Sequence, residues 1–364
     1  MCPQYDVEVS PAPTRRRHVV SFEAESSTAP LELLARVEFM CVVLHGAILG
    51  VLRRKRVRGF SARVVLTGDI VATVRRLRPP AEEDSRMFTA ERLGGTVMGK
   101  ILPSTADGSP FTIILSDAVW LEDNAEATAH GASIIAHELG HCVVESCRRA
   151  SGYTPSMTDL TMGESVAREI AGDALEEYRV GQIENAVLGA VGTSGKGDDA
   201  VPLALRHLYG DDYVHALGEI LTGVVYPGWP DRVQTYRDWK ISMEDMWEGL
   251  ARSAWEAFVL IAHAAAVALS ADEPDPITEG EFADAPAVSL YLGEPWECIQ
   301  DIADSVSVLC TPAASAKMEE RVYTEGVDAV LAMFGELGLR FALLPGGRHH
   351  LAVTAPARLR DDHS

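Results

Sequence analysis

A chain of 364 residues, 47% hydrophobic and 23% charged, is long enough for one large domain or two to three smaller ones and has the make-up of a folded globular protein. Its formal charge of −21 argues against general nucleic-acid binding, because phosphates repel an acidic surface that lacks a basic patch. The basic residues are concentrated early: residues 1–80 hold 13 of the 32 Lys+Arg and 7 of the 53 Asp+Glu, which leaves that stretch at +6 and the remainder at −27. The densest clusters, "RRKRVR" (Arg53 to Arg58) and "RRLR" (Arg75 to Arg78), read as solvated faces paired with the acidic remainder. Six cysteines without CxxC spacing, and an N-terminus with no apolar h-region, lead to the expectation of reduced thiols and a cytoplasmic protein.

In chain order, residues 1–29 are rich in Pro, Ser, Thr and charge and read as a flexible N-terminal arm. A helix is expected from about Leu31 to Leu52. "SARVVLTGDIVATVRRL" has the β-branched content of a strand running into a second element, and "RPPAEEDS" (Arg78 to Ser85) reads as a polar linker. "GTVMGKIL" and "FTIILSDAVWL", separated by "PSTADGSP", read as a hairpin. An alanine-rich helix pattern over "EDNAEATAHGASIIAHELGHCVVESCRRA" follows, then the loop "SGYTPSMTDLTMG" and a second helix over "ESVAREIAGDALEEYRVGQIENAVL". After the flexible break "GTSGKGDD" (Gly192 to Asp199) the chain is expected to be mostly helical to about Leu337 and to close strand-like on "LRFALLPGGRHHLAV". The apolar runs Phe39 to Leu52 and Ala254 to Leu269 are short for a bilayer span, and Glu256 and His263 interrupt the second. Both read as core helices, and no membrane partner is expected.

The chemistry is concentrated in "ASIIAHELGHCVVES". His137 and His141 stand four apart, so on a helix both imidazoles lie on one face and converge on one point. Glu138 is turned about 100° from that line and stays within reach of a water held by the histidines. This is the H-E-x-x-H pattern, in which two histidines bind zinc and the glutamate acts as general base. A hydrolytic zinc site needs a third protein donor and one open position. Glu169, with Asp173 one turn later to accept the free N–H of a ligand histidine, is the favoured third donor. Glu164 is the alternative, although Thr161 three residues earlier gives it a capping-box role, and a residue not yet identified stays open as well. His130, His207, His215, Tyr153, Tyr178 and Tyr209 read as packing or surface residues.

"HELGH" followed by "EIAGD" resembles zinc metallopeptidases of the gluzincin type. "TIILSD" shortly before "AHELGH" is similar to the ImmA/IrrE family, although "DALEEYRV" stands where that family has a different ending. The resemblance spans about residues 95–180. It implies an α+β fold with a zincin-like core over 30–190, in which a small sheet with an edge strand packs on the HExxH helix; the mainly helical region over 200–364, read from its own pattern, is a candidate to complete the cleft. The resemblance also implies a Zn2+ cofactor, a peptide or protein substrate, and an extended peptide joining a sheet edge at Phe111 to Leu115. Two other readings stay open: a regulatory or DNA-associated protein with a non-catalytic metal site, and a non-peptidase zinc hydrolase such as a deformylase.

Overall fold

The computed structural model describes residues 19–25, 27, 29–54, 59–78, 91–92, 95–96, 98–102, 109–120, 124–154, 158–194, 201–307 and 310–356. The fold is mixed α and β, dominated by helices. Strands β1 (Val20–Glu25), β2 (Ala62–Thr67), β5 (Gly99–Leu102) and β6 (Phe111–Ser116) form one sheet in the order β1-β2-β6-β5. The first three of these are parallel, and β5 runs antiparallel to β6 with Gly99 opposite Leu115. Two-residue ladders join β3 (Glu91–Arg92) to β4 (Gly95–Thr96) and β7 (Thr193–Ser194) to β8 (Val201–Pro202). An antiparallel hairpin of β9 (Leu339–Leu344) and β10 (Arg348–Val353) follows the last helix.

Two expectations need correction. The segment read as an arm contains β1, which pairs along its whole length with β2 and is held by ion pairs from Glu23 to Arg63 and from Glu25 to Arg76. Residues 1–18 lie outside the described residues. The strand Phe111–Ser116 is an inner strand, bonded on one side to β2 and on the other to β5, so the edge near the HExxH helix is β5. The expected hairpin is present as β5 and β6, and the polar linker after Arg78 lies outside the described residues.

Helix α1 (Leu31–Arg54) lays Val37, Cys41, Leu44 and Ile48 on the sheet, while Phe39 (70% exposed) and Val42 (52%) face outward, so it is half-buried rather than a core helix. Helix α2 (Ile70–Leu77), capped by Asp69, covers the other sheet face with Ile70 and Val74 against Leu102 and Ile114. Helix α3 (Ala125–Ser151) carries the HExxH residues; Asn124 caps its start by accepting from the Ala127 N–H, and Gly152 ends it at φ +68°, a conformation that favours glycine. Helix α4 (Met162–Val191) opens with a complete capping box made by Thr161 and Glu164.

The remaining helices are α5 (Leu205–Glu219), α6 (Gly228–Arg237), α7 (Met243–Ser270), α8 (Gly293–Asp304), α9 (Pro312–Arg321) and α10 (Val327–Glu336). They build a second hydrophobic core with α4 and the β9–β10 hairpin. By length and composition both α1 and α7 could cross a membrane, but 67% of the apolar window of α7 is buried in this core against 39% for α1. Helix α4 belongs to both cores. Ala167, Ile170, Ala174 and Tyr178 pack in the helical one, and Val180, Ile183, Val187 and Leu188 in the one under the sheet.

Candidate metal centre

Two close helix approaches set the geometry of the site. Gly140, inside the HELGH stretch, faces Val180 of α4 so closely that a Cβ there would lie 3.0 Å from the valine Cγ1 and 3.4 Å from its carbonyl oxygen. Gly181 faces α7, where a Cβ would lie 2.5 Å from the Ala266 Cβ. One turn back along each helix stand His137 on α3, Glu177 on α4 and His263 on α7. Missing side chains at the crossings thus let three backbones converge and bring long polar side chains together a turn away.

The Nε2 atoms of His137 and His141 are 3.2 Å apart. Glu177 Oε2 lies 3.3 Å from the first, 3.6 Å from the second and 3.8 Å from Nε2 of His263. That oxygen is buried and accepts no aligned hydrogen bond. A donor atom from each of His137, Glu177 and His263 lies within 4.8 Å of the others, a group able to hold a metal ion.

Behind the ring, each HExxH histidine meets a carboxylate. Nδ1 of His137 is 3.1 Å from Glu184 Oε2, and Glu184 in turn accepts from the Ser133 hydroxyl. Nδ1 of His141 is 2.8 Å from Glu176 Oε1, whose other oxygen accepts from Arg148 at 2.6 Å. Arg148 also contacts Glu145 and the buried Glu319 of α9. A carboxylate on Nδ1 fixes the ring so that Nε2 presents its lone pair to the centre. Glu138 is buried beside β5; a Cβ on Gly99 would sit 2.5 Å from its Oε1, so the edge strand passes directly over its carboxylate.

The site is a buried cluster of opposed charges. Burial opposes charging of His137 and His141, yet Glu177 and Glu184 around the first, and Glu177 and Glu176 around the second, hold both rings above the ordinary histidine value. Burial by itself would raise Glu177 and Glu176, but the imidazoles outweigh it and hold both low, Glu176 at about 2 with help from Arg148. Burial pushes Glu138 up, against the pull of both imidazoles and Lys100. A cluster charged in this way favours protons or a cation among its donors.

The structure brings His137, Glu138 and His141 together as the sequence suggests, and places Glu177 beside the two histidines rather than Glu169. Glu169 is solvent-exposed and stands eight residues, ~12 Å of helix, before Glu177. Glu164 is engaged in the cap, with the Thr161 N–H donating to its Oε2 at 2.6 Å. Asp173 accepts from Trp255 Nε1 at 2.8 Å rather than from a histidine of the site. His263, which in the sequence interrupts an apolar run, joins the cluster from α7. His130 bonds back to the Glu126 carbonyl and packs edge-on against Tyr209, and His207 and His215 are exposed. The Tyr213 ring stacks on His263 at 12° between planes. Compared with family models, curated proteins and solved structures, the chain matches none of them.

Proposed function

We propose that the chain is a zinc-dependent metallopeptidase in which His137, His141 and Glu177 hold the ion and Glu138 is the general base. One observation carries this reading: the three donor atoms lie 3.2, 3.3 and 3.6 Å apart. Donors held at ~2.0–2.1 Å around a tetrahedral zinc ion are separated by about 3.3 Å, so the three atoms already mark out one face of that polyhedron. Bound there, zinc supplies the Lewis acidity that lowers the pKa of a water molecule and polarises a carbonyl.

The chain's own residues do the rest. Glu184 and Glu176 keep the two imidazoles oriented. Glu138, whose carboxyl burial holds above its ordinary value, takes the proton of the attacking water and returns it to the leaving amine. Among the described residues the outer edge of β5 is unpaired. An extended peptide laid along it would bond backbone to backbone and pass over Glu138 at Gly99.

A non-catalytic metal site in a regulatory protein is the second reading, favoured by His263 as a fourth donor. Metal analysis together with peptide hydrolysis by wild type and Glu138→Gln separates the two. The peptidase retains about one zinc per chain in both proteins and cleaves only as wild type. Zinc-loaded wild type that leaves a diverse peptide mixture intact supports the second reading, and wild type without zinc overturns both.

A further inference from the structure

The cluster contains one more imidazole than a three-donor site uses. His263 Nε2 lies 3.8 Å from Glu177 Oε2, only slightly beyond the separation expected between two ligands of one zinc ion. The ring is held at that place from two sides: it stacks on Tyr213 with centroids 5.4 Å apart and leans on His137 at 5.4 Å. Its helix is pinned by the Gly181 and Ala266 crossing one turn away.

His263 differs from the other two histidines in what stands behind it. His137 and His141 each have a carboxylate on Nδ1, whereas among the described residues none accepts from Nδ1 of His263. A ligand histidine without such a partner is less basic and less firmly oriented, and so is the easiest of the set to displace.

Resting on the zinc-site reading above, we propose that His263 is a displaceable fourth ligand that fills the open position of the resting site and swings out when substrate arrives. The imidazole lone pair leaves the ion and an oxygen lone pair replaces it, with no net proton or electron exchanged. The site is then closed by default and opens in competition with substrate.

Zinc-edge X-ray absorption on the full-length zinc-loaded protein counts the imidazoles directly. Three are expected in wild type and two in His263→Gln, which keeps a side chain of similar reach against Tyr213. Acetohydroxamate, a chelating probe that needs the vacant position, should bind the cobalt-loaded His263→Gln protein roughly tenfold more tightly than wild type if the site is open about a tenth of the time. Two imidazoles in wild type, with equal acetohydroxamate affinity in both proteins, overturns the proposal and leaves the three-ligand peptidase reading intact. Wild type that binds neither metal overturns both. Zinc retained by His263→Gln but lost by His137→Ala is the pattern that fits a displaceable ligand on a permanent site.

Discussion

Glu177 sits where three imidazoles converge, and its buried Oε2 has no aligned partner, which makes it the residue whose removal is most informative. Glu177→Ala should lose zinc. Glu169→Ala should keep it, and Glu164→Ala should keep it while giving up a helix cap of about 1 kcal/mol; zinc titrations of the three variants check this. Asp173 provides a pH test. Its carboxyl is raised to about 6, first by burial, with the Trp255 N–H opposing and Glu176, Glu177 and Glu169 adding repulsion. A carboxyl raised on folding holds its proton more tightly in the native state, so stability falls as pH rises from about 4 to about 6 and stays lowered above that. Asp173→Asn should therefore stabilise the metal-free protein by roughly 1–3 kcal/mol at pH 7 and by almost nothing at pH 4, read from urea midpoints. The HExxH residues and the cap at Glu164 were legible because each is a local pattern. Glu177 was not, because α4 carries Glu169, Asp173, Glu176, Glu177 and Glu184, and only the Gly140 and Val180 crossing decides which turn faces α3. A signal was present: Asp173, Glu177 and Glu184 fall at i, i+4 and i+11, an acidic line on one face of the helix.

Among the elements, β5 bears most directly on the proposed peptidase reading, since it runs along the sheet edge with Gly99 against the Glu138 carboxylate. A methyl group at position 99 meets the flexible end of a side chain rather than backbone. Gly99→Ala should therefore leave folding and zinc content near wild type while cutting peptide hydrolysis by about tenfold or more, because a general base contributes roughly 10²–10⁴-fold only when it is in place. Unchanged turnover in this variant would remove the close approach from the account of catalysis. The strand order was harder to read than the strands themselves. Phe111–Ser116 is almost continuously apolar, which suits a strand covered on both faces and points to the inner position it occupies. In β1, Val20, Phe22 and Ala24 alternate with Ser21, Glu23 and Glu25, the pattern of a half-buried strand, but the Pro-, Ser- and Thr-rich flanks on either side give so short a run the look of a loop.

On the scale of the whole molecule, α4 spans both hydrophobic cores, its first half packed among the C-terminal helices and its second half in the core that includes the sheet, and the two cores are expected to unfold together. Variants retaining only Trp120, in the core under the sheet, or only Trp296, in the helical core, should give coincident urea unfolding curves. Separate midpoints would show that the halves of α4 melt independently. The helical content of the C-terminal region was legible from its composition, but its contribution to the site was not, because His263 lies 86 residues beyond Glu177 and only tertiary packing joins them. The same separation acts as a clock during synthesis. At about 5–20 residues per second, a ribosome needs roughly 4–17 s to travel from Glu177 to His263. Throughout that interval the nascent chain carries all of HELGH and its glutamate without the α7 backbone that packs against α4, so the cluster around Glu177 is not assembled until α7 has been made.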